Sequence, residues 1–177
     1  DAGEPAYKLA DNSADQLIET LQSFALARGR QHKVSARMLQ EGEESLRDML
    51  LFILNAQWQG QVTGETFVGK GKTDLLFRYK GVNAFIGECK IWTGPKAFTE
   101  AIDQLLGYIV WNDTRAGLII FIRGKKDVKS VIQKARKCIQ EHANYIPTGS
   151  SENEFIVHSR HDSKRHIRIS LIPMHIP

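Results

Sequence analysis

The chain has 177 residues, 42% of them hydrophobic, and a formal net charge of +4, values that fit one globular domain and are compatible with a polyanionic partner. Its apolar runs fall short of the roughly 18 residues that cross a bilayer, and the N-terminus lacks a signal-peptide layout, so we expect a soluble protein without membrane association. Two cysteines without CxxC spacing, Cys89 and Cys138, argue against a disulfide framework or a thiolate zinc site and fit the cytoplasm.

The N-terminal third of the chain predicts two helices. The first runs from a cap at Asn12 or Ser13 to about residue 27, and a basic, polar connector over residues 29–35 follows it. The second covers about residues 43–57 and is amphipathic. We therefore divide the chain into an N-terminal helical extension, residues 1–35, and a main domain, residues 36–177.

After Gly60 the hydrophobic period changes from helical to extended. Predicted strands cover residues 61–68, 73–79 and 84–92, with a turn at 81–83, and a helix covers residues 97–111. A continuous apolar run over residues 116–123 indicates a central strand, followed by a helix at 126–141 and a hairpin of strands 155–160 and 165–172. This order of elements predicts an α/β sandwich with a central mixed β-sheet flanked by helices.

The third strand, residues 84–92, carries two charges in an apolar setting. Glu88 and Lys90 are two residues apart and so lie on one face of the strand. A hairpin centred on Gly81 would set Asp74 directly opposite Glu88. Two opposed carboxylates repel unless a cation lies between them, and oxygen ligands suit Mg²⁺ or Mn²⁺. Lys90 would then hold the attacking water or stabilise charge that develops on a phosphate.

Glu43 and Glu44, at the start of the second helix, offer a further carboxylate. At about 100° per residue, Glu43 lies on the stripe of Leu46, Leu50 and Leu54 that faces the sheet, so we prefer it to Glu44. A carboxylate at a helix start also complements the helix dipole, and this structural interpretation stays open for both residues.

Together these residues resemble the PD-(D/E)XK nuclease superfamily, which has the restriction-endonuclease-like fold. The resemblance covers about residues 43–126: a helix-borne Glu, then Asp74, then Glu88-x-Lys90 in an apolar strand. One departure is Thr73, which stands where the signature proline would be. The resemblance implies metal ligands at Asp74, Glu88 and the backbone carbonyl of Cys89, a catalytic lysine at Lys90, and an auxiliary ligand at Glu43 or Glu44.

The helix after this strand adds a second match. Gln104, Tyr108 and Trp111 form one stripe. The spacing Gln-x-x-x-Tyr resembles an element of the RecB-like and phage-exonuclease branches of the superfamily. By that resemblance, Gln104 and Tyr108 help to hold DNA.

Other interpretations of these residues are structural. Glu88 and Lys90 could form an ordinary ion pair on an exposed edge strand. The Cys89 side chain should point into the core as a packing residue. The segment from Gly69 to Thr73 does not match a Walker loop, because Thr66 stands where a glycine is needed. Lys70 and Lys72 would contact phosphate or remain solvated.

Two further groups of side chains remain open. Glu65 could approach the metal from a neighbouring strand. We assign His158, His161 and His166 to a surface loop, with contact to the DNA backbone as the alternative.

The sequence therefore predicts a Mg²⁺-dependent deoxyribonuclease with DNA as its partner, and the effector domain of a restriction or phage-defence system is one setting that fits this activity. A catalytically inactive nucleic-acid-binding or assembly module with the same fold is the alternative. Cutting both strands would favour a homodimer. Because residue 1 is Asp1 rather than Met, we also expect a processed chain or a module whose regulatory domain or partner lies elsewhere.

Overall fold

The structure, a computed structural model, describes residues 4–28, 32–64, 66–68, 71–109, 115–124, 127–148 and 151–177. No helix within these ranges has the length and apolar character needed to cross a membrane. The described helices are α1 (Glu4–Arg28), α2 (His32–Met38), α3 (Glu43–Trp58), α4 (Pro95–Tyr108) and α5 (Val128–Gln140). The described strands are β1 (Val62–Thr63), β2 (Thr66–Val68), β3 (Gly71–Thr73), β4 (Leu75–Tyr79), β5 (Val82–Ile91), β6 (Arg115–Arg123), β7 (Tyr145–Ile146), β8 (Glu154–His158) and β9 (His166–Ile176).

Seven of these strands form one mixed sheet in the order β1-β4-β5-β6-β9-β8-β7. The central strands β5, β6 and β9 are parallel, and the outer pairs are antiparallel. Strands β2 and β3 form a separate two-stranded arm. The predicted α/β architecture with a mixed sheet is therefore confirmed.

Helices cover both faces of the large sheet because its central strands are apolar on both sides. One core joins α1 and α3 to the sheet and includes Leu17, Leu50 and Phe85; the other joins α4 and α5 to it. Strand β6 approaches β5 closely at Gly117, where an added Cβ would lie 2.3 Å from the Phe85 ring. Helix α1 thus packs in the same core as α3 and one face of the sheet. The domain boundary at residue 35 stays a prediction.

Several predicted elements differ from the observed ones. The non-helical connector is wrong from residue 32 onward, where α2 begins, and α1 begins earlier than its predicted cap. The predicted strand over residues 61–68 is divided between two sheets, and the strand over 73–79 is interrupted at Asp74. Strand β7 was not predicted, because two residues are too short to show a period.

The β4–β5 hairpin sets the register of the candidate site. Its turn consists of Lys80 and Gly81, both with positive φ (49° and 80°), and Tyr79 pairs with Val82. The turn is therefore centred between Lys80 and Gly81, whereas the sequence predicted a turn centred on Gly81. A β-bulge then shifts the register by one residue, and Leu75 pairs with Gly87. The predicted centre of the turn is wrong, but the bulge restores the predicted register at the charged end of the hairpin.

Candidate active site

Asp74 lies in a bend between β3 and β4, one residue beyond the Leu75–Gly87 pair and so opposite Glu88. The buried Thr73 hydroxyl lies 3.0 Å from the Gly87 carbonyl oxygen and 3.1 Å from that of Leu75, close enough to donate to either. Asp74 Oδ2 accepts a hydrogen bond of 2.9 Å from the backbone N–H of Cys89. Thr73 therefore helps to fix the bend that turns Asp74 toward β5.

Glu88 is the most perturbed carboxyl of the site. It is 7% exposed, and burial together with the nearby charge of Asp74 raises its pKa to about 8. Its Oε2 atom is buried and has no hydrogen-bond partner among the described residues. The pKa of Asp74 is also raised, because burial outweighs the hydrogen bond from Cys89 and the charge of Arg47. The two opposed acids therefore lack enough positive charge to ionise freely.

Lys90 and Glu43 meet at the end of β5. The Lys90 Nζ atom is 3.4 Å from Glu43 Oε1, and the backbone N–H of Ile91 donates to Glu43 Oε2 at 2.9 Å. Glu43 is the first residue of α3, whereas Glu44 is exposed. The preferred glutamate is thus the one at the site, where it contacts the lysine and the β5 backbone.

The Cys89 side chain is fully buried in the core on the opposite face of β5, as expected for a packing residue. Burial raises the pKa of its thiol well above the usual value, which disfavours the nucleophilic thiolate. Its backbone N–H is used by Asp74. Metal ligation by its carbonyl stays a prediction.

Arg47 is a site residue that the sequence analysis missed. It is 8% exposed, one helical turn after Glu43 on α3, and its Nη1 atom lies 3.7 Å from Asp74 Oδ1. The available signal was its position: four residues after Glu43, it falls on the same stripe as Leu50. An arginine on a buried stripe needs a carboxylate partner.

Of the residues expected to hold substrate, Tyr108 is the one that the structure brings near the acids. Tyr108 is half-buried, and burial followed by the charges of Glu88 and Asp74 raises its pKa, so its ring lies near both acids. Gln104 is exposed one turn earlier on α4, and in the described ranges it makes no hydrogen bond to either acid. Lys72 is exposed on β3.

Three residues considered earlier lie outside the described residues: Glu65, Lys70 and Trp111. The histidines lie mainly in strands. His158 and His166 pair across β8 and β9 with ring centroids 5.4 Å apart, and only His161 lies in the loop. The loop assignment is therefore wrong for two of the three.

The acidic residues fit a hard divalent ion only in part. Among the residues that the structure describes, no group of three or more His, Cys, Asp or Glu side chains is arranged to hold a metal ion. Glu43, the expected auxiliary ligand, is engaged with Lys90. The opposed pair of acids and the unpartnered oxygen of Glu88 fit Mg²⁺, which keeps several waters and uses one or two carboxylates.

Comparison of the chain with protein-family models, curated proteins and solved structures gives no significant match. The function has to be argued from the residues and their geometry.

Proposed function

We propose that the chain is a metal-dependent nuclease of the PD-(D/E)XK superfamily that hydrolyses phosphodiester bonds in DNA on a restriction-endonuclease-like fold. The observation that carries the proposal is the meeting of Asp74 and Glu88 on one face of the hairpin, with Lys90 one step along and a buried carboxylate oxygen left unpartnered. Two carboxyl groups buried side by side in a sheet reduce the stability of the fold. A purely structural role would not explain that cost, whereas a functional site would.

Asp74 and Glu88, with the Cys89 carbonyl, would hold Mg²⁺ or Mn²⁺. When bound, such an ion supplies Lewis-acid polarisation of the phosphate and activation of water. Positive charge at this place would also allow both acids to ionise, which their raised pKa values oppose in the ion-free chain.

Lys90 would donate a hydrogen bond to the attacking water. Glu43 accepts from the same ammonium at 3.4 Å and is itself fixed by the Ile91 N–H, so the lysine is held at one place. Gln104 and Tyr108, on α4, would position the DNA strand over the acids. Lys72 would contact a phosphate from the β2–β3 arm.

The test is cleavage of supercoiled and linear DNA by the purified chain with Mg²⁺ or Mn²⁺. We expect cleavage that a chelator abolishes and that Asp74→Asn or Glu88→Gln lowers at least about 10³-fold. The matched control is Glu141→Gln, an exposed acid at the end of α5 that should cleave normally. Equal cleavage by Glu88→Gln and the unmodified chain would refute the proposed site.

One observation favours a second candidate, a catalytically inactive module that binds nucleic acid or assembles with a partner. Both carboxylate oxygens of Glu43 are engaged, one with Lys90 and the other with the β5 backbone. Salt-sensitive DNA binding with no ion-dependent hydrolysis would support this candidate. A homodimer, a regulatory domain and a role as effector of a restriction or phage-defence system remain predictions.

A further inference from the structure

Arg47 is anchored on one side and directed toward the site on the other. Its Nε and Nη2 atoms donate to Asp48 Oδ1 at 3.0 and 2.9 Å, which fixes one edge of the guanidinium. The remaining Nη1 atom lies 3.7 Å from Asp74 Oδ1. Because the guanidinium is planar and rigid, fixing one edge also fixes the direction of the other.

The two oxygens of Asp74 are held by different parts of the fold. Oδ2 accepts from the Cys89 N–H of β5 at 2.9 Å, and Oδ1 faces Arg47 of α3. The carboxylate plane is therefore defined by a strand on one side and a helix on the other. Asp74 itself lies in a bend without a strand partner of its own, so side-chain contacts have to supply this orientation.

Packing around Arg47 leaves little room for another position of its side chain. Arg47 is 8% exposed, and the backbone at Gly64 packs against it. A Cβ added at Gly64 would lie 3.6 Å from Arg47 Nε and 2.6 Å from Leu51 Cδ1. A buried guanidinium of this kind is poorly placed to contact a DNA phosphate directly. Its effect must pass through the carboxylate that it faces.

We propose that Arg47 is a positioning residue that orients the Asp74 carboxylate toward Glu88, with Asp48 holding Arg47 in turn. The inference rests on the proposed nuclease function and adds a residue to its site. If Arg47 were only a counter-charge, its replacement would change the affinity for a divalent cation in the opposite direction. Loss of a mere counter-charge would strengthen binding of a divalent cation, whereas loss of orientation weakens it.

The test combines Mn²⁺ titration calorimetry with DNA cleavage kinetics on the full chain at pH 8. We expect Arg47→Met to weaken Mn²⁺ binding about tenfold and to lower kcat about 10- to 100-fold, with KM for DNA within about twofold. Arg47→Lys keeps the charge without the fork and should recover only part of the loss. The control is Arg136→Met, which removes an α5 arginine bound to Asn153 and should change neither quantity.

A second variant covers the case in which Arg47→Met does not fold. Asp48→Asn alters an exposed residue that touches neither acid of the site, and we expect it to weaken Mn²⁺ binding a few-fold. Tighter or unchanged Mn²⁺ binding in Arg47→Met would overturn the inference, and the same result in Asp48→Asn would do so if Arg47→Met is unfolded. Cleavage by the unmodified chain would in that case still support the proposed function. Absence of both Mn²⁺ binding and cleavage in the unmodified chain would overturn both.

Discussion

Two buried arginines, Arg47 and Arg115, lie on the side of the sheet that α1 and α3 cover, and the pKa values of the carboxyl groups beside them are shifted in opposite directions. Arg115, at the start of β6, is 2% exposed and pairs with Asp11 at 2.8 Å and Asp15 at 2.7 Å, both on α1. Arg168 also pairs with Asp11, at 3.0 Å. Burial alone would raise the pKa of Asp11, but hydrogen bonds and charge from the two arginines outweigh it and hold the pKa below its usual value.

The carboxyl beside Arg47 shows the opposite shift. The pKa of Asp74 is raised, since burial, aided by the charge of Glu43, outweighs the backbone hydrogen bond from Cys89 and the charges of Arg47, at 3.7 Å, and Lys90. The first cluster, formed by Arg115 and Arg168 with Asp11 and Asp15, is neutralised within the fold and fastens α1 to the sheet. The second keeps an excess of carboxyl groups, which is the state expected of a site that awaits a cation. Asp74 is the more buried carboxyl, with 24% of its side chain exposed against 39% for Asp11, and it faces one arginine where Asp11 faces two, so both burial and partner number separate them.

The largest expected effect that separates the two clusters is on catalysis. Lys90→Met should lower kcat for DNA cleavage about 10²- to 10³-fold, because the ammonium beside the acids is lost. Its stability should stay within about 1 kcal/mol, because the Lys90–Glu43 pair is partly exposed. Single-turnover cleavage and urea denaturation would measure both, and undiminished cleavage would remove Lys90 from the mechanism.

The complementary change is Arg115→Met. We expect the free energy of unfolding to fall by about 2–3 kcal/mol, since the acids of α1 lose their buried partner but remain partly exposed to water. Cleavage per folded molecule should be unchanged. Urea denaturation with activity normalised to the folded fraction tests this, and a selective loss of kcat would show that the two clusters are coupled.

A further expected effect is on the pH dependence of stability without divalent ions. Glu88 holds its proton up to about pH 8 in the folded chain, against an ordinary pKa of 4.5, so the unfolded state binds fewer protons between these values. The free energy of unfolding should therefore fall as pH rises from about 5 to 8, by at most about 1.4 kcal/mol per unit. Asp11, with its lowered pKa, adds stability that is lost only as pH falls below its ordinary 3.8.

Glu88→Gln is the control for this slope, because it removes the titrating group and keeps the shape of the side chain. Urea midpoints between pH 5 and 8 should then be nearly constant. Equal slopes in the variant and the unmodified chain would assign the titration to another group.

Much of the fold could be predicted from hydrophobic period, because each long element buries one stripe or one face. Helix α3 and strands β5 and β6 lie close to their predicted limits. Strands β1 and β2 were merged in one predicted strand, and β3 and β7 were not predicted as elements, since two or three residues show no period. The break at Asp74 was missed for a different reason. It depends on the Thr73 hydroxyl and the carbonyl of Gly87, which are distant in the chain.

The sequence left Glu43 and Glu44 as alternatives for the helix carboxylate, and by itself it determined the α/β class and the face of β5 that carries Glu88 and Lys90. These follow from the fixed periods of helices and strands. The sequence also predicted Asp74 opposite Glu88, but only the tertiary structure decided that a β-bulge produces this register and that Arg47 comes within 3.7 Å of Asp74. Contacts between side chains of separate elements depend on how layers pack, and packing leaves no local pattern in the chain.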